Sequence, residues 1–169
     1  MTDLDIIKEL EDNASVFEGL LKNKSNEEYL WKAQPEKWCL LEIICHLRDE
    51  EVEDFRTRTQ HTLEARDGQP PAIDPVGWVA DRKYVEQDYE TVLADFLDQR
   101  NKSIEWLNSL QNPTWSNGHM HPTLGKRTAK MYFHNWLAHD YMHIRQILRL
   151  NFEYLRQNGG QDLSYAGNW

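Results

Sequence analysis

An all-α four-helix bundle is the fold this sequence predicts, on three observations. Four long stretches carry apolar residues at three-to-four spacing. The segments between them are polar and punctuated by Pro and Gly. No strand-like alternation of any length is found. The chain has 169 residues, enough for one good core, so residues 1–169 are read as a single domain. Long second and third connections suit a topology other than simple up-down-up-down.

The first helix is read from about Leu4 to Leu21, with Leu4, Ile7, Leu10, Ala14, Phe17 and Leu21 on its apolar face. A polar linker closing with "QPEKW" follows. The second helix is read from near Trp38 to about Leu63, with Leu40, Ile43, Ile44, Leu47 and Phe55 as its stripe. "RDGQPPAIDPVGW" contains three prolines and two glycines and reads as a connecting loop. The third helix spans roughly Tyr84 to Leu110, with Val85, Tyr89, Val92, Phe96, Ile104 and Leu107 in phase. "QNPTWSNGHMHPTLG" is again loop, and its Thr123 is placed to cap a fourth helix running to about Phe152. "NGGQDLSYAGNW" then leaves the helix.

Composition excludes several classes of function. With 28 acidic against 19 basic residues the formal charge is -9. Such a surface argues against nucleic-acid binding, which needs clustered Lys and Arg, and against docking on anionic lipid. "MTDLDIIKEL" has no basic region followed by an apolar run, so no signal peptide is expected. No apolar run approaches the ~20 residues of a membrane span. Cys39 and Cys45 form no disulfide framework and read as small buried residues, so the reducing cytoplasm is the expected compartment. Aromatic residues exceed what one small core hides, which points to a homodimer.

The stretch "HNWLAHDYMHIRQI" holds His134, His139 and His143. At about 100° per residue His139 and His143 stack on one face, together with Tyr132, Trp136, Ile147 and Leu150. His134 points elsewhere. Two imidazoles on a buried face need partners, either hydrogen bonds or a metal ion. In helix two, His46, Glu50 and Glu53 share a face that flanks the apolar stripe. On the residues alone His46 reads as partly exposed, and the "RDEEVED" run as a solvated face. One His from helix two and two from helix four would give three nitrogen ligands and leave a position open, the pattern of a catalytic metal site. His119 and His121 in "GHMHP" read as surface histidines. Asp140 follows His139, so the His-Glu-x-x-His of helical zinc proteases is absent.

"KWCLLEIICHLRDEE", the "DPVGW" loop, "HPTLGKRTAKMY", "HNWLAHDYMHIRQI" and the closing "YAGNW" together resemble the DinB-like superfamily of metal-binding four-helix bundles. The most specific parts are Trp38 with His46 eight residues on, and His139-Asp140-x-x-His143 with the following Gln-Ile. The resemblance implies a bundle with non-sequential helix order and one divalent ion held by His46, His139 and His143. It also implies a metal-dependent enzyme, in the leading reading a thiol S-transferase using a low-molecular-weight thiol; the second reading is a metal-dependent hydrolase with metal-bound water as nucleophile. Zn²⁺ or Ni²⁺ is the expected ion. Glu50, one turn from His46, is the expected orienter or general base. Arg48, Arg145 and the Gly125-Lys126-Arg127 segment are candidates to hold an anionic tail of a small-molecule substrate. The third reading, from a different class, is a non-catalytic bundle that binds a metal, a small ligand or a partner.

Overall fold

The computed structural model describes residues 1–66 and 68–167. Asp67 of the proline-rich loop and the last two residues of "YAGNW", Asn168 and Trp169, lie outside the described residues. Helix α1 (Asp3–Leu21) starts at a capping box: Thr2 Oγ1 accepts the Asp5 N–H while the Asp5 carboxylate accepts the Thr2 N–H. A short helix α2 (Asn26–Leu30) sits within the polar linker and is opened by a second capping box at Ser25.

The second long helix is continuous but changes character. It runs as α3 (Leu40–Asp49), then a π-helical segment (Glu50–Arg56), then α4 (Thr57–Leu63). The expected loop contains helix α5 (Pro75–Asp81), with Asp74 accepting the Gly77 N–H and Pro75 in the first turn. Helix α6 (Tyr89–Ser109) begins five residues later than expected. Asp88 caps it, and Tyr84 belongs to a separate 3₁₀ turn that leaves Val85 exposed.

A β-hairpin precedes the last helix, where the sequence reading found only loop. Strands β1 (Gly118–His121) and β2 (Gly125–Thr128) pair antiparallel, His121 opposite Gly125. Gly125 has φ of 72°, the left-handed backbone that closing this turn requires. Thr123 therefore lies in the turn. The cap of helix α7 (Ala129–Asn158) is Thr128, whose hydroxyl accepts the Met131 N–H. The strands are four residues each, too short for period-two alternation to register in the sequence.

Helix α1 packs on α6 and α7, α3 packs chiefly on α6, and α4 on α7. The first two long helices of the chain are thus separated by the last two, and the order is non-sequential. Along the bundle the interior has three layers. At one end Phe17, Leu21, Leu40, Ile43, Ile44, Leu47, Phe96, Ile147 and Leu150 form an apolar cluster. At the other, Ile6, Leu10, Phe55, Ile104, Leu107, Phe133 and Trp136 form a second.

Between them lies a polar layer centred on Arg100, which is fully buried. Its Nε donates to Glu51, Nη1 to Leu10 O and Asp140, and Nη2 to Asp140 at 2.7 Å, with Glu51 Oε2 at 2.9 Å from Nη2. Every guanidinium N–H thus faces an acceptor. Asn13 donates to Asp140, and the Trp136 indole donates to Glu51. Burial alone would depress the Arg100 pKa. The flanking carboxylates outweigh it and hold the group above its usual range. Far from being a solvated face, the acidic run thus buries Asp49, Glu50 and Glu51.

Removing one member of such a network leaves uncompensated charge in a dry interior. Arg100→Met should lower the unfolding free energy by about 3–5 kcal/mol, read from urea titration. A loss within the ~0–1 kcal/mol of an exposed ion pair would contradict this account of the layer.

Candidate metal centre

His46 lies on α3, a helix buried on almost every side: all residues from Cys39 to Leu47 are buried. Its ring is buried beside the indole of Trp38, with ring centroids 4.8 Å apart. His139 and His143 stand one turn apart on α7 and face it. His139 Nε2 lies 3.3 Å from His46 Nε2 and 3.0 Å from His143 Nε2. One ligand atom from each of the three residues falls within 4.8 Å of the others. Phe55 packs on the His139 ring at 4.9 Å. His139 is the least buried of the three, with 18% of its side chain exposed against 6% for His46.

Glu50 joins this group. Its Oε2 lies 2.9 Å from His139 Nε2 and 3.7 Å from His46 Nε2. The carboxylate therefore meets the same nitrogen atoms that face one another, rather than the outer Nδ1 atoms that an orienting partner would hold. His46 Nδ1 is buried with no hydrogen-bond partner among the described residues. Packing against Trp38 fixes that ring instead.

Hydrogen bonding alone does not account for the cluster. His139 Nε2 has three polar neighbours within 3.3 Å, yet a neutral imidazole nitrogen offers one proton or one lone pair. A cation satisfies all the lone pairs at once. Zinc–nitrogen bonds of about 2.0–2.1 Å place tetrahedral ligand atoms about 3.3 Å apart, close to the 3.3 and 3.0 Å that separate His139 Nε2 from the other two rings. The donor set thus fits a divalent ion. Burial also keeps the imidazoles in the form that binds metal: it pushes His46 and His139 down to about 4 and His143 to about 3. Burial raises the Glu50 carboxyl above its usual range.

The other candidates fall outside the cluster. His134 is exposed. His119 contacts the Tyr132 hydroxyl at 3.1 Å, and His121 Nδ1 accepts the backbone N–H groups of Thr123 and Leu124. Glu53 is paired with Arg82 at 2.6 Å. Arg48 bonds Asp49 and Gln87. The thiols of Cys39 and Cys45 are pushed up by burial to about 11 and about 12, so neither is a nucleophile near neutral pH. His46 is buried, where the residues alone suggested partial exposure. Glu51, Arg100, Asp140 and Asn13 escaped the sequence reading. One signal was available: Arg100 sits four residues from both Phe96 and Ile104 on an apolar stripe.

A family model described as the DinB superfamily matches residues 9–147. No curated protein matches the chain by sequence. Among solved structures the chain is similar to YfiT from Bacillus subtilis, with a TM-score of 0.78 and 18% identity, covering 94% of this chain and 89% of that one. YfiT is described as a probable metal-dependent hydrolase with an unusual four-helix bundle topology. At that identity the likeness carries the fold.

His139→Ala should abolish stoichiometric uptake of a divalent ion, while His134→Ala should leave it intact, as read by elemental analysis after dialysis. Equal metal content in wild type and His139→Ala would refute the site. The metal-free protein should also lose stability as pH falls from about 6.5 towards 4. Unfolded histidines take up protons in that window, whereas the buried ones resist down to about 4. Urea midpoints at pH 7 and pH 5 check the sign. A histidine triple-Ala variant should lose part of this dependence.

Proposed function

The chain belongs to the DinB superfamily, and on that premise we propose that His46, His139 and His143 hold a catalytic divalent ion at which a small molecule is hydrolysed. The observation that carries this reading is the Glu50 carboxylate, 2.9 Å from His139 Nε2 and buried among the ligand atoms. A divalent ion in that position supplies Lewis acidity and lowers the pKa of a water or thiol bound to it.

Glu50 supplies the proton traffic. Its Oε2 lies among the nitrogen atoms that would hold the ion, within reach of a water bound there, and is placed to take that water's proton. The same Oε2 then returns that proton to the leaving group. Phe55 and Trp38 wall the imidazoles on two sides and limit solvent. The description of YfiT as a probable metal-dependent hydrolase points the same way.

Transfer of a low-molecular-weight thiol, implied by the sequence resemblance, uses the same three histidines and is the second reading. A bound thiol ionises more readily than water and has less need of a base. The buried carboxylate at the ligand atoms is thus the feature that favours hydrolysis. Zinc and nickel both suit a three-imidazole set.

Glu50→Gln should retain the bound ion and the fold but lose about 10²–10⁴ in turnover of a model ester or amide identified by screening. Glu53→Gln, altered on the Arg82 side, should behave as wild type. Turnover that requires added thiol, and that Glu50→Gln leaves unchanged, would overturn hydrolysis in favour of thiol transfer.

A further inference from the structure

Two adjoining cavities run along the flank of α7 beside the histidine cluster. One, of about 550 Å³, is lined by Lys37, Trp38, Gln146, Arg149 and Leu150 among others. The second, of about 480 Å³, is lined by Met142, His143, Arg145, Gln146 and Arg149. Gln146 and Arg149 belong to both, so the two form one cleft. It reaches the cluster twice, through His143 itself and through Trp38, which packs on His46.

The charge in this cleft is opposite to that of the chain. Carboxylates outnumber cations, and most cations are paired, as Arg82 is with Asp49 and Glu53. Lys37, Arg145 and Arg149 have no carboxylate partner among the described residues. The acidic residue in the lining, Glu153, is taken up by Arg156. Lys37 therefore lines the first cavity, Arg145 the second and Arg149 both, so unpaired cations run along the whole cleft; its first part has an apolar floor of Trp38 and Leu150 and its second reaches His143. In a protein of charge -9 such a grouping is not what a solvated surface would produce by composition alone.

We propose that this cleft is the substrate site, and that it takes a small molecule with a carboxylate or phosphate at one end of a short apolar body. Arg149, common to both cavities, holds the oxyanion, with Lys37 on one side of it and Arg145 on the other adding positive charge. The apolar body lies on Trp38 and Leu150, and the reacting end points to His143. This deepens the proposed function and rests on the histidine cluster being the reactive centre. Arg145 was legible as an anion-holding candidate. Lys37 and Arg149 were not, because only the fold brings residue 37 beside α7.

The test is a titration of the protein, with and without its divalent ion, by hexanoate, hexyl phosphate and the neutral hexanamide, followed by amide and indole chemical shifts. Either anion should give saturable shifts at Trp38 and Gln146, and the tighter one names the head group. Hexanamide should bind at least about tenfold more weakly, since charge-assisted bonds to an oxyanion are lost. Arg145→Gln/Arg149→Gln should weaken the anion about tenfold, and Arg127→Gln should not. Arg145 and Arg149 are exposed, and the half-buried Arg127 side chain bonds, among the described residues, only the neighbouring Lys126 carbonyl, so the variants should fold. Equal binding of hexanoate and hexanamide, unchanged affinity in the double variant, or no saturable shift would each overturn the proposal. If anions saturate the cleft in a protein that takes up no ion, the metal reading falls and the anion cleft stands. If the ion binds and no anion saturates, the cleft proposal alone falls.

Discussion

The Arg100 guanidinium, buried between Glu51 and Asp140, is the constraint from which the rest of the bundle can be reasoned. It ties together four helices: α6 through Arg100 itself, α1 through Leu10 O and Asn13, the second long helix through Glu51, and α7 through Asp140 and Trp136. Apolar packing is tolerant of small slides along a helix axis. A five-donor fork met by fixed acceptors is not. A buried ion-pair network adds little net stability over well-packed apolar groups, so its contribution here is to register.

That register matters because each carboxylate of the layer has a neighbour in the site. Glu51 follows Glu50, and Asp140 follows His139. Adjacent helical residues point to different sides of the helix, so one residue of each pair turns to the core and the other to the cluster. Locking Glu51 and Asp140 onto one guanidinium sets the height at which Glu50 and His139 meet, 2.9 Å apart. The π-helical segment begins at Glu50, and such segments often occur at functional sites. It ends by seating Phe55 against both His139 and Trp136. The anion cleft extends the same logic outward. The α7 face that carries His143 into the interior carries Gln146 and Arg149 towards the segment around Lys37 and Trp38.

Much of this was written in the sequence. Helical periodicity located all four long helices, since repeated apolar spacing over many turns leaves little choice of fold. The pairing of His139 with His143, and the separation of His134, followed from helix phase alone. The place of His46 beside that pair was expected from resemblance, because on its own helix it looked like a flanking residue. What stayed hidden depends on tertiary contact. The acidic run read as solvated because nothing local reveals that Arg100 lies opposite Glu51. Asp140 sits in the His-Asp step, yet its side chain serves the core. The hairpin at Gly118–Thr128 was too short to show a strand period, and the helix at Pro75–Asp81 was masked by the prolines around it.

The fold brings three imidazoles from two helices together at one candidate divalent-ion site. X-ray absorption at the metal edge, on protein loaded with one equivalent of zinc, addresses it most directly. The expected first shell contains three imidazole nitrogens at about 2.0–2.1 Å, with the remaining position filled by oxygen. One imidazole signature should disappear in His143→Ala. A shell of oxygens without imidazole scattering, or one unchanged in His143→Ala, would contradict it.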